Sequence, residues 1–214
     1  TILKEIVRIG LPNGLQQSFV AFGMIALLRF VNNFGTDAVA AYTAAGRIDA
    51  FASLPAMNFS FALTAFIGQN IGANKQERIK KGLFATLIIT AIISLSITLL
   101  TVLFRFPLMA LFTNDANIIK IGAHYLIIVC SFYIMFSTLL VMNGLFRGAG
   151  DTLIPMFITL FSLWVIRIPL SWFLSARIGV DGVWWSIPMA WAIGMVFSII
   201  YYYKGNWKNK AVTR

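Results

Sequence analysis

Charged residues punctuate this chain and apolar ones fill the intervals. Six uncharged runs, 9–28, 50–74, 82–104, 121–146, 152–166 and 182–203, make up most of its length. About 20 helical residues at roughly 1.5 Å each cross a hydrocarbon core of roughly 30 Å. Five of the runs have 20 residues or more, and the fourth contains His124. The fifth has only 15, and reaches spanning length if the helix continues to Leu174 while Arg167 snorkels to the interface. The pattern predicts an all-α integral membrane protein, a bundle of six transmembrane helices over residues 11–203. Residues 1–10 set Ile2, Leu3, Ile6 and Ile9 on one helical face with Lys4, Glu5 and Arg8 between them. That segment is too short to span and suits an amphipathic helix lying in the cytoplasmic interface. Residues 204–214 read as a basic cytoplasmic tail.

Composition agrees with the pattern. The chain is 59% hydrophobic and 11% charged, where a soluble domain carries about a quarter charged residues. Its net charge of +10 forms no long patch and no aromatic-interleaved groove, so nucleic acid is not an expected partner; membrane lipid is. The basic residues sit between the apolar runs and set orientation. Eleven of them (Lys4, Arg8, Lys75, Arg78, Lys80, Lys81, Arg147, Lys204, Lys208, Lys210 and Arg214) fall on the side of the termini. Six (Arg29, Arg47, Arg105, Lys120, Arg167 and Arg177) fall on the other. Both termini are therefore expected in the cytoplasm. Trp184, Trp185, Tyr201, Tyr202, Tyr203 and Trp207 bracket the last run as an interfacial belt would. Pro12 and Pro155 fall in or near the first turn of a span, with Asp151 placed to cap the helix that carries Pro155, whereas Pro55 and Pro188 are expected to kink theirs. The first residue is Thr1 and no signal peptide precedes the first run, so the chain reads as a piece of a longer protein.

The candidate chemistry is that of binding rather than catalysis. There is one histidine, one cysteine (Cys130, mid-span), and no H-x-x-x-H, nucleophile elbow or phosphate loop. Neither an enzyme nor a cofactor or metal site is expected. Six of the seven acids lie in connections, turns or caps, leaving Asp49. Two readings of Arg47 and Asp49 stay open. They are interfacial charges, or a local ion pair with Arg29 or Arg167; or Pro55 draws them into an aqueous cleft where Asp49 serves as a cation or proton site. Polar groups at membrane depth are Asn13, Gln16 and Gln17 in the first run, Asn58 and Ser60 in the second, and Asn143 in the fourth. Gln69 and Asn70 stand at the second run's inner end. Asn13 shares a helical face with Gln16 and Gln17. Taken singly each amide suits interhelical hydrogen bonding; together they suggest a hydrated central surface. Met24, Met57, Phe59, Phe61, Met135, Phe136 and Met142 could wall such a surface.

Several co-ordered motifs carry a resemblance. They are Leu11-Pro12 with Gln16-Gln17, Arg47 followed by Pro55, Gly68-Gln69-Asn70-Ile71-Gly72-Ala73, Phe112-Thr113-Asn114-Asp115, Tyr125-Leu126, and Gly144-Leu145-Phe146-Arg147-Gly148-Ala149-Gly150-Asp151-Thr152 with Pro155. Over nearly the whole chain this resembles the MATE family of multidrug and toxic compound extrusion transporters. The resemblance implies two six-helix lobes around a substrate cleft, of which this chain is the C-terminal one and the N-terminal lobe is its missing partner. It implies secondary active efflux of amphiphilic and cationic compounds in exchange for Na⁺ or H⁺, by alternating access, in a bacterial inner membrane. It extends the cleft candidates to Tyr133, giving Asn13, Gln16, Gln17, Arg47, Asp49, Asn58, Gln69, Asn70, Tyr133 and Asn143. Some sodium-coupled members carry acids in the stretches matching 16–22 and 133–137; this chain has none there. The resemblance therefore points to Asp49 or to the other lobe for coupling. The Arg147–Asp151 connection is expected to shape a helix turn rather than to bind substrate. Two alternatives are a lipid-linked oligosaccharide flippase of related fold, which an Arg- and Lys-rich cleft would favour, and a six-span scaffold without a transport cycle.

Overall fold

A computed structural model describes residues 2–207. The side chains on which the amphipathic reading of residues 1–10 rests, and the tail residues 208–214, lie outside the described residues. Every regular element is a helix among those described: α1 (Ile2–Asn32), α2 (Thr36–Gly72), α3 (Gln76–Leu103), α4 (Arg105–Ala110), α5 (Ala116–Cys130), α6 (Tyr133–Gly148), α7 (Leu153–Leu160), a π-helical turn pair (Phe161–Arg167), α8 (Ile168–Ile178) and α9 (Val180–Lys204). Six spans result. Helices α1, α2, α3 and α9 each form one, α7 through α8 form another of 26 residues, and α5 and α6 form a span broken by a 52° bend. Residues 2–10 continue into the first span as one helix. Apolar side chains such as Phe51, Ile92, Leu103 and Trp172 stay largely exposed on the outer faces, as lipid-facing positions must.

Two spans depart from the sequence pattern for identifiable reasons. The fourth run, read as continuous, breaks at Ser131 and Phe132. There the Cys130 carbonyl accepts from the Thr98 hydroxyl on α3 at 2.6 Å, and the Ser131 hydroxyl donates to the Ile127 carbonyl at 2.6 Å. Such satisfied carbonyls are what make irregular backbone tolerable at membrane depth. In the fifth span, Pro169 has no N–H to bond back to residue 165 and its ring crowds that carbonyl. The turns just before it widen to a π-helix that ends at Arg167. Arg167, expected to snorkel, is instead only 7% exposed. Helix α2 runs through Pro55 for 37 residues, about 55 Å.

Small residues let α2 and α6 touch backbone to backbone. A Cβ on Gly144 would stand 2.6 Å from the Ser60 carbonyl oxygen, and one on Gly148 would stand 2.5 Å from that of Thr64. The Ser60 hydroxyl donates to the Leu140 carbonyl at 2.6 Å and the Thr64 hydroxyl to that of Gly144 at 3.0 Å, stitching the seam. This is the small-residue packing with polar cross-links by which membrane helices associate.

The ends are tied separately. At one end Asp115 caps α5, accepting from the Asn117 and Ile118 amides at 2.8 and 3.2 Å, and Asn117 donates to Asp37 at 2.7 Å. His124 pairs there with Asp181 at 3.2 Å. Asp115→Ala is expected to cost about 1 kcal/mol, read as a lower unfolding temperature in detergent with unchanged oligomeric state. At the other end Asp151 does not cap the helix carrying Pro155; it is buried and accepts from the Tyr201 hydroxyl. Trp207 is buried in the cluster that holds Phe146, with its ring 6.3 Å from that of Phe146 and stacked on Tyr202 at 5.5 Å. Buried apolar residues thus form two layers. One is built around Trp184, Tyr125 and Tyr133, the other around Phe146, Leu145 and Ile67.

Candidate substrate cavity

A cavity of about 300 Å³ opens beside these layers, its lining on α2 and α9 falling between them and its lining on α6 running on into the second. Helix α1 contributes Gln16, Gln17, Val20 and Met24; α2 contributes Met57, Ser60 and Phe61; α6 contributes Phe136, Leu139, Leu140, Asn143 and Arg147. Thr159, Ser162, Leu163 and Arg167 come from the fifth span, and Ala190 and Trp191 from α9. The seam explains how α6 delivers its polar groups. With Gly144 and Gly148 pressed on α2, Asn143 and Arg147, one turn apart on a neighbouring face, turn toward α1. The π-helical segment does the same for Ser162 and Arg167, which an unbroken α-helix would set at different angles.

The cavity's electrostatics are one-sided. Among the described residues two guanidiniums line it and no carboxylate does. Arg147 donates from Nη2 to Gln16 Oε1 at 3.0 Å. Arg167 has Nη1 against the Met24 sulfur at 3.8 Å. The Nε of each arginine is buried without a hydrogen-bond partner, as are Asn143 Oδ1 and Ser162 Oγ. Adjacent to the cavity, half-buried Asp49 accepts from the Tyr133 hydroxyl and lies within electrostatic reach of Arg167. Tyr133 in turn is 6.3 Å from the Trp191 ring.

The sequence candidates thus divide. Gln16, Gln17 and Asn143 line the cavity. Asp49 and Tyr133 form a pair beside it. Asn13 is half-buried with Oδ1 unpartnered, and Asn70 is buried but donates to the Phe66 carbonyl of its own helix at 2.8 Å. Arg47, Asn58 and Gln69 are exposed on α2. The two open readings of Arg47 and Asp49 separate accordingly: one charge faces outward, the other inward. Of the Met and Phe residues, Met24, Met57, Phe61 and Phe136 wall the cavity, and Phe59, Met135 and Met142 do not. Arg147, read as a turn-shaping residue, and Arg167, Ser162 and Trp191 belong to the cavity but were not among the candidates. The signal for Arg147 was its spacing of four from Asn143; for Arg167 it was a lone charge in an apolar run two residues before a proline.

A helical membrane bundle around a cavity of apolar walls set with amides and arginines suits one lobe of a membrane transporter. The sequence signature of the MatE family matches residues 12–173, and the chain belongs to that family. It is similar to two probable multidrug resistance proteins of Bacillus subtilis. One, YoeA, is 29% identical over all of this chain and 46% of its own length; the other, YpnP, is 32% identical over 95% of this chain and 46% of its own. The chain spans about half the length of the curated relatives it matches. Its fold matches the Vibrio cholerae MATE transporter VcmN in the bent form with a TM-score of 0.90 at 22% identity, covering 97% of this chain and 47% of that one.

Proposed function

We propose that this chain is the C-terminal lobe of a secondary active multidrug exporter. Bulky amphiphiles, cationic ones included, would bind in a cleft that this lobe shares with an N-terminal one, and would leave the cell in exchange for Na⁺ or H⁺ as the lobes alternate. The observation that carries this reading is the cavity among the helices, where amides and arginines meet methionine and aromatic walls suited to ligands of varied shape. The half-length match to multidrug resistance proteins supports it. Within this lobe Asp49 is the coupling residue, since a half-buried carboxylate in a membrane-spanning helix needs a functional reason to persist there. The eleven basic residues on the side of the termini support a topology with both ends in the cytoplasm, in a bacterial inner membrane.

One observation favours a second reading. The two cavity arginines suit the phosphates of a lipid-linked oligosaccharide, and a flippase of related fold ranks behind the exporter because the rest of the lining is amide and apolar.

The test uses cells that express the full gene. An antibody to the tail should detect a polypeptide near twice 23.8 kDa. Cells preloaded with ethidium or norfloxacin should lose them faster than empty-vector cells, and collapse of the ion gradient should erase the difference. A polypeptide of the shorter mass, or loss of both compounds at the vector rate, would count against the exporter.

A further inference from the structure

The acid-free lining of the cavity has a consequence for what can enter it. A guanidinium cannot shed its charge at any physiological pH, and a buried charge without a counter-ion is costly. Arg167 is only 7% exposed, and its one hydrogen-bonding contact is the weak one to the Met24 sulfur. Its nearest compensation is Asp49, which sits outside the lining, is already bound to Tyr133, and makes no salt bridge to it. Arg147 has only a neutral amide, Gln16, as partner. Asp151, one turn along from Arg147, is turned away to the Tyr201 hydroxyl. Both guanidiniums therefore face a shared space with donor capacity unused, and each has a buried Nε without a partner.

We infer that the cavity of this lobe is a receptor for an anionic group, a carboxylate, sulfonate or phosphate carried on an apolar body. The head is received at Arg147 or at Arg167, each a planar guanidinium that offers paired donors to an oxyanion. Ser162 and Gln16 add polar contacts, and the body rests on Trp191 and the methionine and phenylalanine walls. This inference rests on the exporter reading and sharpens it: among the exported compounds, those whose heads enter this lobe's cavity are anionic or zwitterionic amphiphiles. Two sources supply the chemistry, an exported compound or an anionic lipid head.

The test is the binding of norfloxacin and of its methyl ester, which differ only in the carboxylate, to the purified full-length protein in nanodiscs of phosphatidylcholine. The acid should bind at least about tenfold more tightly than the ester, the scale of a charge-assisted pair. Arg147→Gln, Arg167→Gln or the two together should bring the acid-to-ester affinity ratio close to one. Arg167→Lys, which keeps the charge without the fork, should retain part of the preference. Equal binding of acid and ester by the unaltered protein, or a preference that survives both glutamine variants and their combination, would overturn the inference. Repeating the measurement with phosphatidylglycerol in the disc separates the sources. Competition that disappears in the glutamine variants assigns the site to a lipid head, and affinity that ignores the lipid assigns it to the exported compound; both support an anion site. Acid-over-ester discrimination in a protein that moves neither compound under any gradient would retain the anion site and count against the exporter reading instead.

Discussion

Replacing Gly148 by leucine is expected to keep this lobe from assembling. The Cβ alone would stand 2.5 Å from the Thr64 carbonyl oxygen and 2.8 Å from the Ile67 Cβ, and both lie on the partner helix's backbone or next to it. Neither can move without separating α6 from α2, and that separation would also break the Thr64 bond to the Gly144 carbonyl. A destabilisation on the order of 3 kcal/mol follows from overpacking a backbone contact and leaving buried polar groups unpaired. Gly148→Ala should already be measurably harmful. Gly46→Ala on α2 meets no atom within 4 Å and should be neutral or slightly stabilising, because alanine favours a helix over glycine by about 0.5–1 kcal/mol. Monodispersity after heating, compared across the three variants of the full-length protein, decides the matter. An undiminished Gly148→Leu protein would mean that the seam is not what holds the lobe together.

Asp49→Asn is expected to uncouple transport. Asparagine keeps an oxygen that can accept from Tyr133, so the local fold should survive, while the group can no longer carry a proton or attract a sodium ion. Gradient-driven efflux should fall at least about tenfold, with substrate affinity changed far less, because the residue lies beside the cavity rather than in its lining. Tyr133→Phe removes the hydrogen bond but not the charge and should fall between wild type and Asp49→Asn. Efflux by Asp49→Asn at the wild-type rate would assign coupling to the other lobe.

The architecture was legible because a bilayer leaves few options. Charge-free runs of spanning length have to be helices, and the six runs mark the six spans. What the sequence hid was how two of those spans deviate. The break at Ser131 and Phe132 carries neither proline nor glycine, and rests on a hydroxyl from α3 that is distant in sequence. The π-helix before Pro169 could be anticipated as a kink, but not as the device that buries Arg167. Site residues divide along the same line. Gln16, Gln17 and Asn143 were readable as amides in apolar runs. Arg147 was not, because a motif that looks like a turn also sits one helical turn from Asn143, and the direction of its side chain depends on which face of α6 the glycines press onto α2. Arg47 and Asp49 look equivalent as neighbouring charges; only the packing of α2 against α6 sends one outward and the other to Tyr133.

The most direct measurement is flux through the purified full-length protein in proteoliposomes, with a pH gradient or a sodium gradient imposed in turn. Norfloxacin should move against its own gradient when one of the two ions flows down its own, and the Asp49→Asn protein should bind norfloxacin without moving it. No uphill movement of norfloxacin or ethidium under either gradient, from protein that is folded and correctly inserted, would contradict the exporter account.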